Sequence, residues 1–227
     1  MSIPDPAISF VTEHGILLEF VTADCVVIEP DLQQRLCQLA RLLREHSHTG
    51  PLLCDIVTAP GSLLLVLHDG RTARRLLRHA ETLWRASAQK NIAARLVTIP
   101  VFYGGEAGPD LEHAAAACGM DSQSFVEHHS TGHYFVQSLG FMPGFAYLGG
   151  LDPALHLTRK NTPAARVPAG SVAIGGSHTG IYPSESPGGW HIIGRTSLTL
   201  FDPYVQPPCL LQPGDTVKFV AITEQRT

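Results

Sequence analysis

Apolar residues recur at every third or fourth position in two stretches of the N-terminal half. Leu32, Leu36, Leu39, Ala40 and Leu43 fall on one face of a helix, and so do Ala73, Leu76, Leu77, Ala80, Leu83 and Trp84. Each stretch follows two apolar runs of strand length: 7–12 and 15–21 before the first, 52–58 and 62–68 before the second. The later pair is joined by TAPGS, where Pro60 and Gly61 suit the two central positions of a type II turn. A ββαββα order closes as one antiparallel sheet with both helices on a single face. The reading for residues 1–94 is therefore a two-layer α+β domain.

From residue 95 the pattern changes. Two short helices are expected at about 109–118 and 121–130, the second opened by Asp121 as an N-cap. Beyond them the chain becomes β in character. Residues 140–196 carry eleven of the chain's 21 glycines, alternating with short apolar runs such as SVAIGG, TGIYP and WHIIGRTSLTLF. Short strands linked by tight turns predict a barrel or sandwich over 95–227 rather than a βαβ sheet. The segment GFMPGFAYLGGLDP (140–153), dense in glycine, proline and aromatic rings, reads as barrel corners, places where glycine also lets a ligand or another backbone approach closely.

Composition narrows the function classes. A length of 227 residues falls between one and two domains. With 16% charged residues and a formal net charge of −4, nothing marks a nucleic acid or an anionic membrane as partner. The N-terminus MSIPDPAISF has no basic, apolar leader pattern, and runs such as SLLLVL are too short to span a bilayer, so a cytoplasmic location is expected. Five scattered cysteines, Cys25, Cys37, Cys54, Cys118 and Cys209, form no CxxC pair, which fits reduced thiols and no metal site.

Three stretches carry candidate chemistry. GGSHTG (175–180) has the look of a phosphate loop or a nucleophile elbow, yet it lacks the lysine of the first and the spacing of the second. EHHSTGH (127–133) gathers three histidines, but Gly132 is expected to end the helix, so His129 and His133 need not share a face; HExxH is absent. SPGGWHIIGRT (186–196) joins a Pro-Gly-Gly turn to Trp190, His191 and Arg195. It reads either as an aromatic strand start or as a lid presenting a ring and a cation to a small anion.

Five motifs stand in a recognisable order: VFYGGEAGPDLEHAA, LGFMPGFAYLGGLDP, VPAGSVAIGGSHTGIYPSESPGGWHIIGRT, LFDP and LLQPGDTVKF. Together they resemble the family of the 5-oxoprolinase B subunit, also labelled KipI-like kinase inhibitor and allophanate hydrolase subunit 1. The likeness covers residues 97–220, and the ββαββα start agrees with it. The resemblance implies an α+β fold with a two-layer N-terminal domain and a C-terminal cyclophilin-like β-barrel. It implies a non-autonomous component that works with subunits A and C to hydrolyse 5-oxo-L-proline to L-glutamate at the expense of ATP. The alternatives under the same motifs are an inhibitor of a sensor histidine kinase and a component of a urea carboxylase or allophanate hydrolase.

A lactam carbonyl is a poor electrophile, so a path through its phosphorylation needs donors for a developing anion. The candidates are the backbone amides of 175–180 and 187–190 together with Arg195. His129 and His178 are the candidate acid or base. Phe145, Tyr147, Tyr182, Gly188, Gly189 and Trp190 are the candidate substrate-binding residues. With no lysine-bearing nucleotide loop in the chain, ATP is expected on a partner or at the subunit interface. The chain departs from the resembled family at His178, where glutamine is usual, at Pro163-Ala164, where Pro-Arg is usual, and at His133, where an acidic or polar residue is usual.

Overall fold

The structure, a computed structural model, describes residues 6–20, 30–87 and 94–222. Cys25 and the end of the second expected strand, at residue 21, lie outside the described residues. The chain divides into two compact units, Met1–Ala94 and Arg95–Thr227.

In the first unit β1 (Ala7–Phe10), β2 (Gly15–Glu19), α1 (Pro30–Glu45), β3 (Leu53–Ala59), β4 (Ser62–Leu67) and α2 (Ala73–Ser87) follow in that order. The strands form one antiparallel sheet in the order β1-β2-β4-β3. Gly61, with φ of 68°, closes the β3–β4 turn as a type II turn requires. The alternation of β2 and β4 turns Ile16, Leu18, Leu63 and Leu65 to one face, where they are buried against Leu36 and Leu43 of α1 and Leu76 of α2. Both helices thus cover the same face of the sheet.

The second unit contains β5 (Leu96–Tyr103), α3 (Leu111–Ala117), α4 (Ser122–Thr131), β6 (Tyr134–Leu139), β7 (Ala146–Gly149), β8 (Ala164–Val167), β9 (Ser171–Gly175), β10 (His178–Ile181), β11 (Ser186–Gly188), β12 (His191–Arg195) and β13 (Thr216–Ala221). Seven of these strands close a barrel in the order β10-β7-β6-β13-β5-β12-β9. The remaining two, β8 and β11, pair as a separate ribbon. Asp121 caps α4 by accepting from the Ser124 amide, and Gly132 ends the helix. Arg95 and Asp215 join the starts of β5 and β13 through Nε–Oδ1 and Nη2–Oδ2 bonds of 3.1 and 2.5 Å.

Strand alternation sorts the barrel's side chains into two populations. Val172, Ile174, Ile181 and Ile193 point inward with Ile99, Val136 and Phe219. Ala173 and Ile192 point outward and belong to a second apolar cluster with Phe145, Tyr182, Trp190 and Val167 of the ribbon. This outer cluster sets the position of the candidate site.

Candidate functional site on the outer face of the barrel

Neighbouring residues of β10 face opposite ways. Thr179 points inward and is fully buried, and His178 points outward and is partly exposed. The two histidines expected to act as acid or base are therefore separated by the barrel wall, because His129 meets Thr179 from inside.

His129 is fully buried, with Phe219 and Tyr134 against its ring. Its Nδ1 lies 2.7 Å from the Tyr103 hydroxyl and its Nε2 lies 3.0 Å from Thr179 Oγ1. Thr179 donates its own proton to the Ala173 carbonyl, so its oxygen is the acceptor toward His129. That fixes the tautomer: Nε2–H donates to Thr179, and Nδ1 accepts from Tyr103. Burial lowers the pKa of His129 to about 3 and raises that of Tyr103. A neutral, enclosed ring with both nitrogens engaged ties α4 to β5 and β10. It is a structural hydrogen-bonding residue and not the acid or base expected from sequence.

On the outer face, Phe145, Tyr147, Tyr182 and Trp190 come together as the sequence suggested. Phe145 meets Tyr147, Tyr182 and Trp190 edge-on at 5.0, 5.4 and 5.6 Å between ring centres. Their exposure differs from expectation, however. Trp190 is 6% exposed and its ring lies over Gly175, where a Cβ would stand 2.6 Å from it. The Pro-Gly-Gly segment is not a free lid, since Ser186–Gly188 pairs with β8. Trp190 is core, and of the four rings Tyr147 is the most open. Gly188 leaves room for the Tyr182 hydroxyl, which a Cβ would approach to 2.4 Å. At Gly189 a Cβ would stand in ordinary contact with Pro163 at 3.7 Å, and the Gly189 carbonyl accepts from the Lys160 amide at 2.8 Å.

His178 adjoins this cluster through Tyr147, at 6.2 Å between ring centres. Its Nε2 donates to Gln137 Oε1 at 2.7 Å, which leaves Nδ1 as an acceptor facing Ser177 Oγ at 3.4 Å. Burial is the main cause that lowers the His178 pKa, with the positive surroundings of His156 and Arg159 adding to it. The ring is therefore neutral near pH 7, a hydrogen-bond donor at one nitrogen and an acceptor at the other.

Arg195 does not reach this place. It faces outward on β12 but pairs in register with Ser171, whereas His178 pairs with Gly175 at the other end of β9. Four residues of strand separate them, roughly 13 Å. The three expected catalytic residues thus occupy three locations. Several of the expected anion-binding amides are also engaged. The Gly176 amide donates to the Leu157 carbonyl at 2.6 Å, residues 178–181 form a strand flanked by β9 and β7, and the Trp190 amide bonds the Tyr182 hydroxyl.

Sequence reading passed over three residues here. Gln137 is buried beneath His178. Arg159 is exposed at the edge of the cluster. Phe141 has φ of 67° and stands 60% exposed above Phe145 and Tyr182. The Met142 amide bonds the Gly140 carbonyl across it at 2.8 Å, a γ-turn of the strained, positive-φ kind. Only the proximity of Gly140, Pro143 and Gly144 hinted at that turn.

The two units, a two-layer α+β domain and a closed barrel, define a carboxyltransferase-type protein. The family described as carboxyltransferase domain, subdomain C and D, matches residues 6–211. The 5-oxoprolinase B subunit of Escherichia coli O157:H7 is 41% identical over 204 residues, covering 88% of this chain and 92% of that protein. The same-named protein of Haemophilus influenzae is 40% identical over 188 residues, covering 83% and 86%. This chain belongs to the family of 5-oxoprolinase B subunits. Among solved structures, TTHA0988 superposes with a TM-score of 0.77 at 38% identity over 94% of this chain, which spans only 41% of that longer chain. The Kluyveromyces lactis urea carboxylase, at 19% identity and a TM-score of 0.69, shares the fold over 98% of this chain and 22% of its own.

Among the described residues no helix is long and apolar enough to cross a membrane, and no three His, Cys, Asp or Glu side chains gather as a metal site. The cysteines Cys37, Cys54, Cys118 and Cys209 are free thiols.

Proposed function

We propose that this chain is the B subunit of an ATP-dependent 5-oxoprolinase and acts with subunits A and C to open 5-oxo-L-proline to L-glutamate. The observation that carries this reading is the identity of 40–41% to proteins named as 5-oxoprolinase B subunits over most of both chains. The outer face of the barrel supports it chemically. Tyr147 and the rings beneath it offer an apolar wall to a five-membered ring, and His178 Nδ1 is placed to accept a hydrogen bond from a lactam N–H. Neither task needs a charged imidazole.

ATP would supply a phosphoryl group to the lactam oxygen; water would then add to the activated carbon, the C–N bond would break with the nitrogen taking up a proton, and the resulting acyl phosphate would be hydrolysed to glutamate and phosphate. This chain fits that nucleotide poorly. It has no lysine-bearing phosphate loop, and the Gly176 and Trp190 amides of its glycine-rich segments are already engaged. ATP binding therefore falls to a partner or to an interface with one, and the isolated chain is inactive. The likeness to urea carboxylase, at 19% identity, carries the fold alone. The test is glutamate release from 5-oxo-L-proline and ATP by the chain combined with subunits A and C, each omitted in turn. Activity that needs all three is the expected result; turnover without this chain overturns the reading.

A further inference from the structure

The segment between the 3-10 turn at Pro153–Leu155 and β8 is held across the outer face by three hydrogen bonds. The Leu157 carbonyl accepts from Gly176 N–H at 2.6 Å, the Thr158 carbonyl from His191 Nε2 at 2.9 Å, and Lys160 N–H donates to the Gly189 carbonyl at 2.8 Å. Arg159 sits inside this clamp. Its backbone is fixed between the β9–β10 hairpin tip and the residue before Trp190, and its side chain is exposed.

Three cations lie between the 3-10 turn and the end of β8, and two are neutralised. Lys160 pairs with Asp110 at 2.7 Å, and Arg166 pairs with Glu185 at 2.8 Å. Arg159 meets no carboxylate among the described residues. The backbone bonds of Thr158 to His191 and of Lys160 to Gly189 anchor Arg159 on this face, within electrostatic range of His178 and Tyr182. An uncompensated guanidinium carried on a fixed backbone at the edge of an apolar wall and a hydrogen-bond acceptor matches a small molecule with a ring, an N–H and a carboxylate.

We propose that Arg159 binds the carboxylate of the substrate on the His178 face of the barrel. The assignment rests on the reading of the chain as a component of 5-oxoprolinase and adds the residue that orients the lactam. Arg195, the cation expected from sequence, lies at the far end of β9, and Ala164 stands where the resembled family usually has arginine.

The test uses the assembled complex with Arg159→Gln and Arg159→Lys in this chain. Loss of a charge-assisted hydrogen bond raises KM for 5-oxo-L-proline on the order of 10- to 100-fold in the glutamine variant. The lysine variant recovers part of it, and KM for ATP stays unchanged. An unchanged KM for 5-oxo-L-proline overturns the proposal, and a raised KM for ATP alone reassigns Arg159 to a phosphate and overturns it equally. A second readout needs no activity. In the isolated full chain, Arg159→Gln removes a positive neighbour, so the NMR titration midpoint of His178 moves up; an unmoved midpoint refutes the geometry. If the wild-type complex itself releases no glutamate, the functional reading falls and the carboxylate assignment with it. An active complex indifferent to Arg159→Gln overturns this inference alone.

Discussion

His129 makes the stability of the barrel depend on pH in a way that can be isolated from every other titrating group. Its folded pKa of about 3 lies below the ordinary 6.5 of an unfolded histidine. The stability it contributes is therefore complete above 6.5 and is lost as pH falls toward 3, because the unfolded chain takes up the proton first. Each pH unit in that window costs about 1.4 kcal/mol. Between neutrality and a pH of about 4.5 the barrel should lose roughly 3 kcal/mol through this residue, a large part of a typical domain's stability. The control is His129→Gln, which can still hydrogen bond toward Tyr103 and Thr179 but cannot take a proton. At neutral pH it should be less stable than wild type by about 1–3 kcal/mol. Urea unfolding followed by Trp190 fluorescence in a Trp84→Phe background reports the barrel, since the chain has only these two tryptophans. The gap between wild type and variant should close or invert as pH falls, the other histidines being common to both. A gap constant across that range would refute the reasoning.

Two further outcomes follow from the outer face. Trp190→Ala removes a ring packed against Gly175 and Phe145 and should destabilise the barrel by about 3–5 kcal/mol; unchanged urea unfolding with lost activity of the complex would restore the lid reading. Phe141→Gly relieves a left-handed backbone that costs a non-glycine residue about 1–2 kcal/mol. Its thermal midpoint should be equal to or above that of Phe141→Ala, and a lower midpoint would show that the γ-turn is not strained.

The fold was legible because it rests on periodicity. Leu36, Leu39 and Leu43 had to share a face of α1 once a helix was read, and the glycine-punctuated strands after residue 140 allowed little besides a closed or stacked sheet. The site was legible only in part. The aromatic residues of 145–190 do meet, but sequence could not say which side of the wall each faced. That is decided by register, and a single residue separates His178 outside from Thr179 inside. The bulge between Ile192 and Gly194 likewise shifts the facing of β12. Arg159 carried no signal because its importance comes from what its neighbours do: Lys160 and Arg166 find acidic partners from distant segments, and it does not. His129 misled for a related reason. Clustered with two other histidines in EHHSTGH it invited chemistry, whereas its surroundings are assembled from β5, β6, β10 and β13.

The account places a neutral histidine at the substrate, protonated at Nε2 and accepting at Nδ1. A glutamine side chain offers the same pair, an N–H donor and an oxygen acceptor, which agrees with the residue usual at this position in the resembled family. The most direct test is therefore glutamate release by complexes carrying His178→Gln or His178→Ala in this chain, with assembly verified for each. The account predicts that glutamine keeps the rate within about fivefold and that alanine lowers kcat/KM roughly 10- to 100-fold. Alanine at wild-type rate in an intact complex would contradict it, by showing that the outer face at His178 takes no part in the reaction.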